Sequence, residues 1–428
     1  MIVIALGLLS PLLIGYCLIS LLAPQIGRTL RIFLGAGIGA GLASCCLFVS
    51  LALGLPPFTL EVLALIAAIV TLARPRGATP SSNPWTTTDK LLGATFSCAL
   101  IAAIASFLST NADAPNGGWD AVAIWNLHAR FLATPAWRDA FTTLLLYSHP
   151  DYPLLLPAFI ARIWRLTGDR TLAAPTITAA LFTFATIGAL VSSLTALTTR
   201  TQGFAAGVLL VGTHYFIAHG ASEYADVPVS FFVLATLVCL RLARQIPRLD
   251  ILAGLTAGFA AWTKNEGWTL IVALALVCIA RRELLRRLPA IAAGLAPILA
   301  IDLYFKFTLA TPNEFAGGRG FPDVMAMIST PARYLTIGQG LFASIAGGNF
   351  LLPVAGVAIY WLLTASANHD RASAGMCAGL LAIIFTGYCA ALLTSPYRIG
   401  WQVDTTLDRL LVQLLPASLF TAFLWRSG

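Results

Sequence analysis

Four clusters in this sequence place carboxylates beside residues that can share their chemistry. In chain order they are Trp119-Asp120, His149-Pro150-Asp151-Tyr152, Glu223 with Asp226, and Lys264 with Glu266. A positioned carboxylate can take a proton from a hydroxyl group, and a lysine can neutralise a phosphate. Each cluster ends or interrupts an apolar stretch, so the elements around the clusters decide whether they meet.

A fifth cluster precedes the last apolar stretch and contains Arg398, Asp404, Asp408 and Arg409. Either arginine could pair with one of the two acids on the surface, which is worth about 0–1 kcal/mol. Alternatively, the planar guanidinium groups could donate hydrogen bonds to a phosphate. The sequence leaves both interpretations open.

The composition indicates that membrane helices position these clusters. The 428 residues are 58% hydrophobic and only 10% charged, and the mean hydropathy is +0.84. Such values exclude a soluble globular protein. Although the net charge is +8, no run of lysines and arginines is interleaved with aromatic residues. No nucleic acid is therefore expected as a partner. The eight cysteines lie in apolar stretches and form no CxxC metal pattern.

The apolar stretches predict an all-α polytopic membrane protein of about 13 transmembrane helices. With the N-terminus outside, the inner loops carry fifteen basic and four acidic residues, a net charge of +11, and the rest of the chain carries −3. The positive-inside rule requires this asymmetry. It holds only if residues 153–168 and 331–349 form helices at the outer interface. Fourteen of the eighteen carboxylates then fall on the outer side.

Each candidate residue also has an ordinary structural interpretation. Asp120 and Asp226 stand where helices could begin, so either could be an N-cap. Lys264 lies at the centre of residues 251–280, which are too long for one span and fit a hairpin of two short helices with a polar tip. There it could simply extend to the membrane surface. His128 could be a satisfied polar residue rather than a base.

These residues resemble motifs of the GT-C superfamily of integral-membrane glycosyltransferases, specifically the family 39 type that includes protein O-mannosyltransferases and the aminoarabinose transferase of lipid A. The matching features are Gly118-Trp119-Asp120, His149-Pro-Asp-Tyr-Pro-Leu-Leu-Leu, Asp226-Val-Pro, and Gly254-Leu-Thr-Ala-Gly-Phe-Ala-Ala-Trp-Thr-Lys264. The chain departs from the family in the three helices expected before this region. It also has a single carboxylate at Trp119-Asp120, where protein mannosyltransferases have a pair.

The resemblance implies an architecture and an activity. It predicts a GT-C-like catalytic module at residues 91–280 with an outer loop at 110–152. A three-helix extension (1–90) precedes it, and C-terminal helices (281–428) with an outer loop at 308–331 follow. The implied reaction is inverting transfer of a sugar from a polyprenyl-phosphate-linked donor to a glycan, lipid or protein acceptor at the outer face of the membrane.

The resemblance also assigns roles to the candidate residues. Asp120 would be the general base, and Lys264 with Arg398 or Arg409 would stabilise the departing phosphate. The residues expected to bind substrate are His149, Asp151, Tyr152, Glu223, Asp226, Lys264, Glu266, Arg398 and Arg409. A divalent metal ion could be held by His149, Asp151, Glu223 and Asp226, but their spacing specifies none, so metal use stays undecided.

Two other functions fit a basic protein with many membrane helices: a secondary transporter, and a noncatalytic membrane subunit of a polyprenyl-glycan pathway. Transporters place polar groups at the bilayer midplane in repeated halves, whereas these clusters gather at one face. The Ala/Leu/Arg-rich composition indicates a bacterial inner membrane, with the site facing the periplasm or the outside.

Overall fold

The fold is built from helices. In a computed structural model the described residues are 2–72, 84–142, 147–312, 320–364 and 371–426. Within these ranges there are eighteen α-helices and no β-strand, which confirms the all-α fold class. Residues 143–146 of the expected loop 110–152, and residues 313–319 of the expected loop 308–331, lie outside the described residues.

The helices of the first half are α1 (Ile2–Leu22), α2 (Arg28–Ala52), α3 (Thr59–Leu72), α4 (Thr87–Asp113), α5 (Asn126–Leu132), α6 (Leu155–Thr167), α7 (Ala173–Leu197), α8 (Arg200–Val211) and α9 (His214–Ala221). Those of the second half are α10 (Asp226–Leu242), α11 (Leu249–Thr263), α12 (Trp268–Ala280), α13 (Arg282–Thr308), α14 (Phe321–Ile328), α15 (Pro331–Ala346), α16 (Leu351–Leu363), α17 (Arg371–Leu393) and α18 (Ile399–Trp425). A π-helical turn covers Ala121–Trp125, and 3-10 turns cover Trp137–Phe141 and Asn265–Gly267.

Several of these helices are long and apolar enough to cross a membrane. Six qualify singly, namely α2, α4, α7, α13, α17 and α18. Two bent pairs raise the number to eight: α8 with α9, bent by 65°, and α15 with α16, bent by 76°. The chain is therefore a polytopic integral membrane protein. The count of about 13 spans is not confirmed, because other apolar stretches form helices shorter than a full span.

The N-terminal helices are joined to the rest of the fold by a buried ion pair. Arg162 on α6 is 1% exposed and pairs with Glu61 on α3 through both carboxylate oxygens. It also donates to the backbone oxygen of Gly7 at 2.6 Å and to Ser10 Oγ at 2.8 Å. Helix α6, which was expected at the outer interface, is enclosed by neighbouring helices from Leu155 to Trp164.

Two glycines allow α11 and α13 to cross at very short range. A Cβ on Gly254 would lie 1.8 Å from the backbone oxygen of Ile291, and a Cβ on Gly294 would lie 1.8 Å from that of Ile251. Small residues permit such backbone approach between membrane helices. The crossing holds the first half of α11 against α13.

The expected hairpin is present. Helix α11 ends at Thr263, Lys264 is extended with φ −157° and ψ 150°, and a 3-10 turn leads into α12 at Trp268. The polar residues therefore occupy the tip between two short helices, as the sequence predicted. This tip meets α10 and α18 at the site described next.

Candidate active site

The centre of the site is the carboxylate of Asp226, in the first turn of α10, which is completely buried. Lys264 Nζ and Gln413 Nε2 donate to its Oδ1 at 2.9 and 2.6 Å. Arg409 Nε donates to Oδ2 at 3.1 Å, and His219 Nε2 lies 3.0 Å from the same oxygen. A buried carboxylate needs such compensation. Asp226 therefore gathers two cations at one point.

Arg409 connects this buried carboxylate to the loop between α4 and α5. Its Nη2 donates to Asp120 Oδ2 at 2.5 Å, across 289 positions of sequence. The guanidinium also packs over the ring of Tyr224, 4.9 Å from the centroid. The Asp120 side chain is 13% exposed, whereas that of Asp226 is fully buried. Of these two acids, Asp120 is the more exposed.

A glycine turn places Asp120 beside Arg409. Gly117 has a φ of +74°, which favours glycine, and the N–H of Gly118 donates to the backbone oxygen of Ser222 at 2.9 Å. A Cβ on Gly118 would lie only 2.6 Å from the hydroxyl oxygen of Tyr224. The absence of side chains at this turn lets the loop approach the start of α10.

Glu223 holds the same loop from the other side. It is buried, and it accepts hydrogen bonds from Asn126 at 3.0 Å, Thr176 at 2.9 Å and Asn111 at 3.4 Å. Burial raises the pKa of Glu223, while these hydrogen bonds act in the opposite direction. The carboxylate predicted to bind substrate thus joins Asn126, at the start of α5, to α4 and α7, and its substrate contact remains a prediction.

Lys264 is 3% exposed and lies between two carboxylates. Besides Asp226, its Nζ contacts Glu266 Oε1 at 2.9 Å. The Glu266 side chain is 24% exposed, so this acid borders the site from the accessible side. Lys264 therefore points into the protein, and the alternative in which it extends to the membrane surface does not describe this structure.

The turn around His149 is attached to the hairpin tip. Asp151 Oδ2 accepts a hydrogen bond from Asn265 Nδ2 at 2.8 Å, and Lys306 Nζ donates to Asn265 Oδ1 at 2.6 Å. His149 stacks on Tyr152 with ring centroids 4.7 Å apart. Asn265, which follows Lys264 in the chain, therefore joins the turn around His149 to the hairpin tip.

Two other candidates lie apart from the cluster. Arg398 is exposed at the N-cap of α18, eleven residues before Arg409, which is about 16 Å along a helix. His128 is fully buried against Phe141, and burial lowers its pKa to about 4, so it is neutral. Of the two arginines considered, Arg409 is the one that reaches the two aspartates.

The four residues considered as metal ligands are not gathered around one point. The carboxylate of Asp226 faces cations, that of Glu223 faces amide and hydroxyl groups, and that of Asp151 faces Asn265. Within the described part of the chain, no group of three or more His, Cys, Asp or Glu side chains is arranged to hold a metal ion. This donor set does not fit a divalent cation, so no metal enters the reaction steps below.

Two residues that contact Asp226, Gln413 and His219, were missed from the sequence. Gln413 lies one helical turn after Arg409 on α18, and its Oε1 accepts a hydrogen bond from Tyr388 at 2.6 Å. A buried glutamine in an apolar span, four residues after an arginine, was a signal that could have identified it. His219 gave no such signal, because only the bend between α9 and α10 brings it to Asp226.

The structure defines an all-helical membrane protein with a buried, ion-paired cluster of side chains. Residues 149–304 match the family model described as dolichyl-phosphate-mannose-protein mannosyltransferase. The match contains Asp226, Lys264 and Glu266, and covers less than half of the chain. It confirms the resemblance to GT-C glycosyltransferases. No curated protein and no solved structure gives a significant match.

Proposed function

We propose that the protein is an inverting glycosyltransferase that moves a sugar from a polyprenyl-phosphate-linked donor to an acceptor hydroxyl at the outer face of the membrane. The family match supports this class of reaction. The observation that carries the proposal is the bridge made by Arg409, which joins an accessible acid, Asp120, to the buried acid that holds Lys264.

The cations suit a departing phosphate. Arg409 uses Nε and Nη2 for the two aspartates, and among the described residues its Nη1 makes no hydrogen bond. A guanidinium has five N–H donors in a rigid planar arrangement, so Nη1 can donate to a phosphate oxygen while the two ion pairs persist. Lys264 adds a second positive charge on the other side of Asp226.

Asp120 is the proposed general base. It accepts the proton of the acceptor hydroxyl as that oxygen forms a bond to the anomeric carbon. The bond from the anomeric carbon to the phosphate oxygen breaks on the opposite face, which inverts the configuration, and Arg409 with Lys264 stabilises the charge on the departing phosphate. Asp226 orients these two cations and is too enclosed to act as the base.

Transfer of a radiolabelled sugar from polyprenyl-phosphate donors by the detergent-purified protein tests the proposal. Asp120→Asn keeps the shape but cannot accept the proton, so its rate should fall by about 10²–10⁴-fold. Asp113→Asn changes an exposed acid in the same outer segment and should keep the wild-type rate. An Asp120→Asn rate above about a tenth of wild type would contradict the base assignment.

Glu266 is the alternative base, because its side chain is also accessible. Glu266→Gln should raise the Michaelis constant for the donor while leaving most of the turnover, since this residue is proposed to bind substrate.

Absence of transfer from every donor, combined with uptake of solute into proteoliposomes, would favour the transporter. The bacterial inner membrane and a periplasmic site are part of the same proposal.

A further inference from the structure

A basic surface lies at the end of the helices opposite the candidate active site. Helix α10 begins at Asp226 in that site and ends at Leu242 after 17 residues, which is about 25 Å along a helix. Helices α11 and α12 connect the same two ends, because the hairpin tip between them lies in the site. The segments at the far end, residues 241–250, 281–287 and 371, form the arginine surface, which contains eight arginines, no lysine and two acids.

Both acids of the arginine surface are already paired with arginines. Arg287 donates to Asp250 through Nε at 2.9 Å and through Nη2 at 2.6 Å. Arg244 Nε lies 3.4 Å from Glu283 Oε1. Because eight arginines share only these two acids, the surface keeps a net positive charge.

Three arginines of this surface lie together where α17 begins. Arg281 Nη1 donates to the backbone oxygen of Ala372 at 3.3 Å, Arg371 precedes Ala372, and Arg282 follows Arg281. All three arginines are exposed. Within the described part of the chain, no carboxylate forms an ion pair with any of them. A guanidinium has five N–H donors, so these side chains retain donors for an anion.

Exposed apolar side chains lie directly beside these arginines. Leu276 and Ile279 on α12 are exposed, and Ile279 precedes Arg281 by two residues. Leu285 on α13 is exposed as well, three residues after Arg282. On helices in a membrane, exposed apolar side chains contact the hydrocarbon of the lipids, and arginines at the helix ends lie among the headgroups. The arginine surface is therefore continuous with a surface that faces acyl chains.

We infer that the arginine surface binds the headgroup of an anionic phospholipid in the leaflet opposite the candidate active site, with the acyl chains along α12 and α13. Basic side chains at the end of membrane helices bind such headgroups. Arginine suits this ligand, because its planar N–H groups donate in pairs to a phosphate. The adjoining apolar side chains favour a lipid over an acidic soluble protein. Phospholipid binding at this surface is independent of the proposed sugar transfer.

Titration of the detergent-purified protein with phosphatidylglycerol, followed by native mass spectrometry, tests the inference. Arg281→Gln/Arg282→Gln should bind this lipid about 25-fold more weakly, because each basic residue near an anionic lipid surface contributes a factor of about five. Arg281→Lys/Arg282→Lys should recover part of the loss, since the charge remains while the paired donors are lost.

The matched control is Arg130→Gln/Arg138→Gln, which removes two exposed arginines from the segment between α4 and α6. This variant should bind phosphatidylglycerol as the wild type does. Phosphatidylcholine with the same acyl chains should bind the wild-type protein more weakly than phosphatidylglycerol, because its headgroup carries no net charge.

Wild-type affinity for phosphatidylglycerol in Arg281→Gln/Arg282→Gln would overturn the inference. So would equal binding of phosphatidylcholine, since the arginines would then select nothing. Displacement of phosphatidylglycerol by an equal concentration of inorganic phosphate would also overturn it, because the surface would then be a site for soluble phosphate. If the double variant fails to fold, phosphatidylglycerol should bind the wild-type protein more weakly as sodium chloride is added, and binding that is independent of salt would contradict the inference.

Discussion

Replacing Asp226 by asparagine should destabilise the protein and abolish donor binding together. The substitution removes the negative charge that Lys264 and Arg409 share inside the fold, while the amide keeps nearly the same volume. Lys264 is 3% exposed, so water cannot replace the lost partner. Breaking a buried ion pair by removing one partner costs about 3–5 kcal/mol.

The remaining partners set the expected value within that range. Lys264 keeps Glu266 at 2.9 Å, and Arg409 keeps Asp120 at 2.5 Å. Each cation therefore retains one carboxylate, which places the loss near the lower limit, at about 3 kcal/mol. The two cations would also repel each other without the carboxylate between them, so their geometry for a phosphate should be lost.

Thermal unfolding of the purified protein, followed by intrinsic fluorescence, measures the stability, and binding of polyprenyl phosphate measures the site. Asp404→Asn is the matched control, because it makes the same chemical change on an exposed residue of α18. Asp404→Asn should unfold as the wild type does. If Asp226→Asn shows the same melting temperature as Asp404→Asn, the buried charge does not hold the cluster together and the reasoning fails.

Three further predictions address other parts of the fold. Gly118→Ala should lower turnover at unchanged expression, because its Cβ would meet the Tyr224 hydroxyl at 2.6 Å and move Asp120; wild-type turnover would show that the loop tolerates the shift. Arg162→Leu or Glu61→Leu alone should destabilise the protein by about 3–5 kcal/mol, and the double variant by less, since it leaves no unpaired buried charge; equal losses in all three variants would argue against the pair. After removal of the native cysteines, a cysteine at position 286, in a basic segment predicted to be cytoplasmic, should resist impermeant thiol reagents in intact cells, whereas one at position 115 should react; labelling at 286 would contradict the predicted topology.

The sequence alone determined that this protein resides in a membrane and which types of residue form its site. A hydrophobic content of 58% with 10% charge requires a membrane, because so few polar side chains cannot cover a soluble surface. The interruption of an apolar stretch at Lys264 predicted the hairpin, because a buried lysine in a membrane needs a partner or water. Order and spacing were enough to relate Asp226 and Lys264 to a family of membrane enzymes, whereas Asp120 lies outside the matched residues 149–304.

Only the tertiary structure decided which of these residues meet. Arg398 and Arg409 were equivalent candidates in the sequence, and the packing of α18 against α10 turns Arg409 toward Asp226. Glu223 and Asp226 are three residues apart, yet Glu223 joins a loop to neighbouring helices whereas Asp226 holds the two cations. They differ because a φ of +61° at Glu223 ends α9 and changes the chain direction between them. Sequence patterns record which residues share a helix face. Contacts across hundreds of positions depend instead on how the helices cross. Close crossings in turn depend on glycines whose partners lie elsewhere in the chain.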